Sequence, residues 1–351
     1  MWLSELAVSG FRNLAEHNLT FDPKANLIFG DNGGGKTNLL EAISVLASGR
    51  SFRTIQDSQM LAFDAAHFRI AGKARSEKDR TYNARVFFSP AERKHYFLDK
   101  KEIGKRALFS GWLPVSVFLL DDRRLVSGPP AQRRAFLDDA AGKVSRTYRF
   151  IMADFRRVLA QRNALLKRRG SAREYVVWEQ PMAKLASDIW DRRADYWKRF
   201  TSHFNKMSAR FLASDELRLE YIQNVDSEED YSQVLRKHRR AEERFGHTRR
   251  GPHRDDFRVM LNGRPLRAFG SYGQQRMAAL ALALAEAETA LSAGRRPVYL
   301  MDDVAAELDD AHTKLLFELV STKGQLFYAA ARPPAVEGRR FHVKKGKIRQ
   351  V

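Results

Sequence analysis

Residues 30–37, Gly30-Asp31-Asn32-Gly33-Gly34-Gly35-Lys36-Thr37, constrain this chain more than any other stretch of it. Glycines at this spacing let a backbone wrap round a phosphate chain with its N–H groups turned inward, because glycine tolerates the left-handed conformations such a wrap requires. Lys36 then supplies a point charge for the β- and γ-phosphates, and Thr37 a hydroxyl for Mg2+. The loop works only between a strand and a helix whose positive N-terminus faces the anion. Both neighbours are predicted, an apolar strand over 26–29 and a helix over about 37–47. The front of the chain therefore reads as α/β, and the chain is expected to bind and hydrolyse ATP.

The other half of an ATPase site is an apolar strand that ends in acid. Val298-Tyr299-Leu300-Met301-Asp302-Asp303 has that form. Asp302 is placed to hold Mg2+, directly or through water, and Asp303 to orient or deprotonate the attacking water. Taken alone, such a pair is as often a solvated turn at a strand end. Between the two motifs, Ser271-Tyr272-Gly273-Gln274-Gln275-Arg276 opens a helix. A hydroxyl, a flexible glycine and free N–H groups at a helix start make a second anion-binding device. Alone, the same residues read more simply as an N-cap with Ser271 as the capping residue.

Lys and Arg number 62 against 42 Asp and Glu, a net charge of +20. That excess calls for a polyanionic partner, nucleic acid first and an acidic membrane surface second. No basic amphipathic helix with exposed bulky apolar residues is visible, which argues against the membrane. The chain has no cysteine, which excludes disulfides and cysteine-ligated zinc and agrees with a reducing cytosol. Residues 1–11 read as an alternating strand without the apolar core of a signal peptide. The longest apolar stretch, 277–285, is too short to span a bilayer. A soluble, cytoplasmic protein is expected, and a hydrophobic fraction of 44% suffices for its core.

The pattern divides the chain into three segments. Over 1–127 short strands alternate with turns: 3–8, 19–21, 26–29, an antiparallel group within 67–98, and a buried apolar run at 115–120. From Gly128-Pro129-Pro130 to 213 the spacing of apolar residues becomes three and four. One series runs from Phe136 to Leu165, a second from Trp178 to Phe211, with a turn at 167–171 between them. Two helices of about 38 residues, each roughly 57 Å long, would form an antiparallel arm. Over 214–351 the strand pattern returns from Leu217, with a strand at 256–261, a hairpin turn at Asn262-Gly263, helices at 273–291 and 310–322, strands at 298–301 and 325–328, and a terminal hairpin at 341–351. The expected architecture is a head split into two parts in sequence, with the arm inserted between them.

Further motifs join the three above: Gly10-Phe11-Arg12-Asn13, Asn38-Leu39-Leu40-Glu41-Ala42 directly after the loop, Gly49-Arg50-Ser51-Phe52-Arg53, Arg133-Arg134-x-Phe136-Leu137-Asp138, Gln161 to Lys167, Gly251-Pro252-His253-Arg254-Asp255-Asp256 and Glu307-Leu308-Asp309. Together they resemble the ABC-type ATPase heads of the SMC family and, nearly end to end, the RecF family of bacterial recombination and repair proteins. The resemblance implies an α/β ABC-type ATPase head with a P-loop and an inserted antiparallel helical arm. It implies that Gly30, Asp31, Asn32, Gly33, Gly34, Gly35, Lys36, Thr37 and Asn38 hold ATP, with Arg12 and Asn13 approaching from the first strand. Ser271, Gly273 and Gln274 of a second subunit would complete the site, so that nucleotide joins a homodimer, with Glu307-Leu308-Asp309 at the interface. It further implies weak, DNA-dependent ATPase activity with Lys36, Asp302 and Asp303 as catalytic residues and Thr37 and Asp302 on Mg2+. The implied partners are single-stranded, gapped or junction DNA together with RecR and RecO, and no membrane.

The chain departs from that pattern in places. Tyr272 stands where a small or amide residue is usual, and Asp303 is shorter than the Glu of ABC transporters, which points to slow hydrolysis. Ala329-Ala330-Ala331 offers no His or Thr to sense the γ-phosphate. No glutamine stands clearly at a Q-loop position, and the 251–256 segment reads equally as structural or functional. The candidate DNA contacts are Arg50, Arg53, Arg123, Arg124, Arg133, Arg134, Lys167, Arg168, Arg169, Arg249 and Arg254. A metabolic P-loop kinase, another SMC-like head, a nuclease and a non-catalytic binding module are the competing readings. The first would lack the Ser271 motif, and an arm of about 85 residues is too short for an SMC coiled coil.

Overall fold

Apolar side chains at alternate positions of 2–9, 68–75 and 81–88 give three strands a single buried face each. The computed structural model describes residues 1–119, 122–212, 215–226, 230–332 and 336–351, with the Glu307 side chain outside the description. The last residue of the expected strand at 115–120 and the end of the expected arm at 213 lie outside the described residues. In chain order the elements are β1 (Trp2–Ser9), β2 (His17–Thr20), β3 (Ala25–Phe29), α1 (Lys36–Ser48), β4 (Phe68–Arg75), β5 (Thr81–Phe88), β6 (His95–Leu98), β7 (Lys101–Glu102) and β8 (Val115–Leu119). Then follow α2 (Pro130–Val144), α3 (Arg146–Arg168), α4 (Ala172–Phe211), β9 (Leu217–Ile222), α5 (Tyr231–Phe245), β10 (Asp256–Leu261), β11 (Arg264–Pro265) and α6 (Tyr272–Ser292). The chain closes with β12 (Val298–Asp302), α7 (Asp310–Ser321), β13 (Gln325–Ala330), β14 (Arg339–Lys344) and β15 (Lys347–Gln350).

Residue contacts group these into two units, Met1–Asp121 with Ala290–Val351, and Asp122–Thr289. This differs from the three segments read in sequence. The stretch from Leu217 to Thr289 groups with the helices of the arm and not with the flanking strands.

The first unit holds two sheets. One, in the order β2-β1-β4-β5-β6-β7, is antiparallel throughout. The other runs β15-β14-β3-β13-β12-β8, parallel from β14 to β8, with β15 antiparallel at its edge. Helix α1 packs against strands of both sheets. It is buried without a break from Leu39 to Ala47, as a helix with no solvent face must be. Leu39, Leu40, Ile43 and Leu46 are each fully buried, a contribution of roughly 2 kcal/mol apiece. Glu41 is just as buried, and a charge so placed needs partners of its own.

In the second unit the first expected long helix is two. Ser145 takes an extended conformation (φ −123°, ψ 110°), and its hydroxyl accepts the Tyr148 N–H to cap α3. The apolar spacing continues through this break, which is why periodicity alone merges α2 with α3. Helix α4 has 40 residues and starts with a capping box in which Ser171 and Glu174 bond each other's backbone. Leu165 and Leu166 pack on Tyr175 and Trp178, so α3 and α4 form the antiparallel arm. Helix α5 was not predicted at all: only Tyr231, Val234, Leu235 and Glu242 of its 15 residues are buried, and a strongly charged stretch reads as loop. Among the described residues, no helix is long and apolar enough to cross a membrane.

Candidate nucleotide site

Strand β3 lies in the parallel sheet between β14 and β13, and its carboxyl end leads into 30–35. Ligands of parallel α/β sheets sit at such ends. Gly30 has φ +147° and Gly35 φ +117°. A Cβ on Gly30 would stand 2.1 Å from the Val343 carbonyl oxygen, and one on Gly35 2.9 Å from Asn13 Oδ1. Neither position accepts a side chain. Beside Gly33, in contrast, nothing lies within 4 Å, so that side of the loop is open. No described side chain caps α1, whose N-cap is Gly35. The first-turn N–H groups, which lack intrahelical partners, are therefore left with the positive helix end for an anion. The turn between β14 and β15 steadies the loop from behind, where Gly346 N–H donates to the Gly34 carbonyl at 2.8 Å.

The Lys36 ammonium folds back into the loop, donating to the Gly30 carbonyl at 2.7 Å and the Asp31 carbonyl at 3.1 Å. Thr37 donates its hydroxyl to Asp302 Oδ2 at 2.7 Å, tying the start of α1 to the end of β12. Burial raises the Asp302 carboxyl above its ordinary range. The charge of Asp303 pushes the same way, while the Thr37 hydrogen bond, Lys36 and Arg53 pull it down. Asp303 sits next in the chain in a left-handed conformation, φ 53°, with its N–H bonded to the Ala329 carbonyl at 2.8 Å. A hydroxyl and a carboxylate side by side, with the carboxylate short of compensating charge, suit a hard divalent cation that takes its remaining ligands from phosphate and water. Among the described residues, no group of three or more His, Cys, Asp or Glu could hold a metal by itself.

A layer of residues behind the loop comes from motifs whose mutual contacts the sequence does not show. Glu41 receives both arms of the Arg12 guanidinium, at 2.9 and 2.6 Å, the Ser51 hydroxyl at 2.5 Å and Arg53 at 3.3 Å. Arg12 also donates to the Gln59 carbonyl. Arg12 is thus turned onto α1, whereas Asn13 borders the loop, donating to the Gly33 carbonyl at 3.3 Å and accepting from Asn38 at 2.7 Å. Arg53 reaches Asn38 as well, at 2.8 Å, while its side chain stays 45% exposed. Arg133, in contrast, is withdrawn from the surface. It is buried and grips both oxygens of Asp256, at 2.8 and 2.7 Å, and has no exposed charge to offer DNA. Glu41 stands in the motif that follows the loop, but its partners come from 10 to 29 residues away, a distance no local spacing reports.

Ser271, Gly273 and Gln274 lie in the second unit. Ser271 Oγ accepts the Gln274 N–H at 3.2 Å, and Gln274 Oε1 accepts the Ser271 N–H at 2.8 Å. This is a capping box at the start of α6, so the plain N-cap reading of the motif is also fulfilled. Ser271, Tyr272 and Gly273 are exposed, and a Cβ on Gly273 would meet only Ser271 Oγ, at 4.0 Å. Tyr272 carries the Arg123 guanidinium 4.7 Å from its ring centre, and Arg123 donates to Gln275 Oε1 at 3.3 Å. The expected interface residue Glu307 has its side chain outside the described residues; Asp309 caps α7 through the His312 N–H.

A phosphate loop after a central parallel strand, an acid pair at the end of β12, an antiparallel sheet packed on α1 and an inserted helical arm define an ABC-type ATPase head. A family model described as RecF/RecN/SMC N terminal domain matches residues 2–344. The DNA replication and repair protein RecF of Edwardsiella ictaluri (strain 93-146) is 32% identical, over 99% of both chains. The solved structure of the recombination mediator protein RecF-ATP in the RecFOR pathway superposes with a TM-score of 0.93 at 29% identity, covering 100% of this chain and 97% of that one. An Smc head bound to the C-winged helix domain of ScpA shares the fold, with a TM-score of 0.60 at 16% identity over 100% of this chain and 98% of that one. The chain belongs to the RecF family.

Proposed function

We propose that the chain binds ATP with Mg2+ at 30–38 and acts as a weak, DNA-dependent ATPase that pairs with a second copy of itself on DNA. In this reading Lys36 releases the Gly30 and Asp31 carbonyls to meet the β- and γ-phosphates, and the uncapped start of α1 faces the same charge. Thr37 and Asp302 hold Mg2+, which when bound neutralises charge on the phosphate oxygens. Asp303 orients the attacking water and accepts its proton. Ser271, Gly273 and Gln274 of the second copy complete the site, which agrees with the exposure of Ser271 and Gly273. The observation that carries the reading is the 2.7 Å bond from Thr37 to Asp302, because it brings the two halves of a phosphoryl-transfer site together from opposite ends of the chain. Family membership, a relative named for DNA replication and repair and a RecF-ATP structure support it over a metabolic kinase. The DNA would be single-stranded, gapped or a junction, RecR and RecO would be the protein partners, and the cytoplasm the compartment.

Light scattering tests the pairing. The mass should double on adding ATP and Mg2+, and the Lys36→Met variant should stay monomeric. A wild-type mass that ignores ATP ends the pairing model. Asp303→Asn should keep the ATP-bound pair while lowering turnover by roughly 100-fold or more. Unaltered turnover would remove Asp303 from the chemistry.

A further inference from the structure

The tip of the helical arm collects positive charge around an exposed aromatic ring. Arg162, fully buried near the end of α3, donates to Glu179 of α4 at 3.0 Å and to Glu242 of α5 at 2.7 Å. Asn163 accepts both the N–H and the hydroxyl of Thr248, each at 2.8 Å. A Cβ on Gly246 would lie 3.1 Å from Lys167 Cγ. The end of α5 and the loop after it are therefore packed on the turn that joins α3 to α4. Near this junction Lys167 and Arg169 at the end of α3, Arg240 and Arg244 on the outward face of α5, and Arg249 just after it are all exposed. Among the described residues none of the five has a carboxylate within ion-pair reach, although their neighbour Arg168 pairs with Glu174. Phe245, next to Arg244 in the chain, is 55% exposed, with the Arg249 guanidinium 4.4 Å from its ring centre.

Five cations without counter-ions need no such arrangement for folding, since like charges repel. An exposed aromatic ring beside exposed cations is the chemistry that grips single-stranded nucleic acid. The cations follow the phosphates, and a base stacks on the ring because every base has a π-face. A duplex hides its bases and can use the charge but not the ring. A membrane surface would use the charge too, yet it needs a broad apolar face, and α5 buries its apolar side chains Tyr231, Val234 and Leu235 beneath it. We propose that the arm tip is a binding site for single-stranded nucleic acid, in which Phe245 stacks on a base and Lys167, Arg169, Arg240, Arg244 and Arg249 hold the phosphates. This rests on the reading that the chain works on DNA, and it assigns that work a surface separate from the nucleotide loop.

The test uses the full chain, fluorescein-labelled oligothymidine and its duplex with oligodeoxyadenosine, each titrated at several KCl concentrations. Phe245→Ala should weaken single-strand binding about tenfold and change duplex binding less than about twofold. The triple variant Arg240→Glu, Arg244→Glu and Arg249→Glu should bind the single strand at least tenfold more weakly and flatten the slope of log affinity against log salt by about 2. Both variants should keep the wild-type circular dichroism spectrum and the wild-type mass response to ATP. If the wild type binds DNA and both variants bind it equally well, the arm-tip site is wrong and the DNA reading survives. Equal loss on both nucleic acids for Phe245→Ala removes stacking and overturns the single-strand assignment. If both variants keep wild-type DNA binding and instead lose co-sedimentation with phosphatidylglycerol vesicles, the tip belongs to a membrane surface. No DNA binding by the wild type would overturn the DNA reading and the tip site together.

Discussion

Asp302 is half-buried next to a second carboxylate, and its proton affinity is raised accordingly. Its charge therefore opposes folding while the loop is empty of cation. The sign follows from proton binding: the folded state holds the Asp302 proton more tightly than the unfolded one, so this group's contribution to stability falls as pH rises through its raised value. Asp302→Asn keeps an acceptor for Thr37 and removes the charge. It should stabilise the nucleotide-free chain by on the order of 1 kcal/mol and abolish Mg2+-dependent turnover. Thermal unfolding beside an ATPase assay reads both, and a destabilised variant would show that the carboxylate is needed for the loop's structure. At this scale the sequence is legible where spacing carries the meaning. The glycines of 30–35 are required by backbone conformation and close approach, and the motif records both requirements. Glu41 and Gly346 are invisible to it, because their partners lie elsewhere in the chain. Glu41 meets Arg12 across 29 residues, and Gly346 meets Gly34 from the far end of the chain.

His253 belongs to the element scale. It lies in the second unit between the ring of Phe155 and the carbonyl of Thr248. Burial lowers its imidazole to about 4, and the charges of Arg254, Arg134 and Arg162 push the same way against the Thr248 hydrogen bond. The folded value lies below the ordinary one, so the unfolded chain takes up a proton first as pH falls. Stability is undiminished above pH 6.5 and is lost progressively down to about 4, by roughly 3 kcal/mol. Urea unfolding at several pH values should show this slope in the wild type and a flatter one in His253→Phe; equal slopes would contradict it. The 251–256 segment that read equally as structure or function serves the structure through this histidine and through Asp255, which binds Arg193, Trp190 and Tyr221. The strands were readable because alternation marks a half-buried sheet. The break at Ser145 and helix α5 were not, since a cap leaves periodicity intact and a charged helix shows little of it.

For the whole molecule, the phosphate loop and the acid pair fall in one compact unit and the Ser271 motif in the other. The +20 charge is general in its meaning, but part of it resolves into a particular surface at the arm tip and part into internal ion pairs such as Arg133 with Asp256. Composition alone does not separate the two uses. The central claim is that each ATP is enclosed by the loop of one chain and the Ser271 motif of another. Mixing two inactive variants tests it most directly. Lys36→Met retains an intact Ser271 motif and Ser271→Arg retains an intact loop. Each alone should have background ATPase activity. An equimolar mixture should regain activity, up to about half of the wild-type rate, because only the mixed pair holds a whole site and it has one such site of two. A mixture no more active than its components, or a fully active Ser271→Arg variant on its own, would contradict the account.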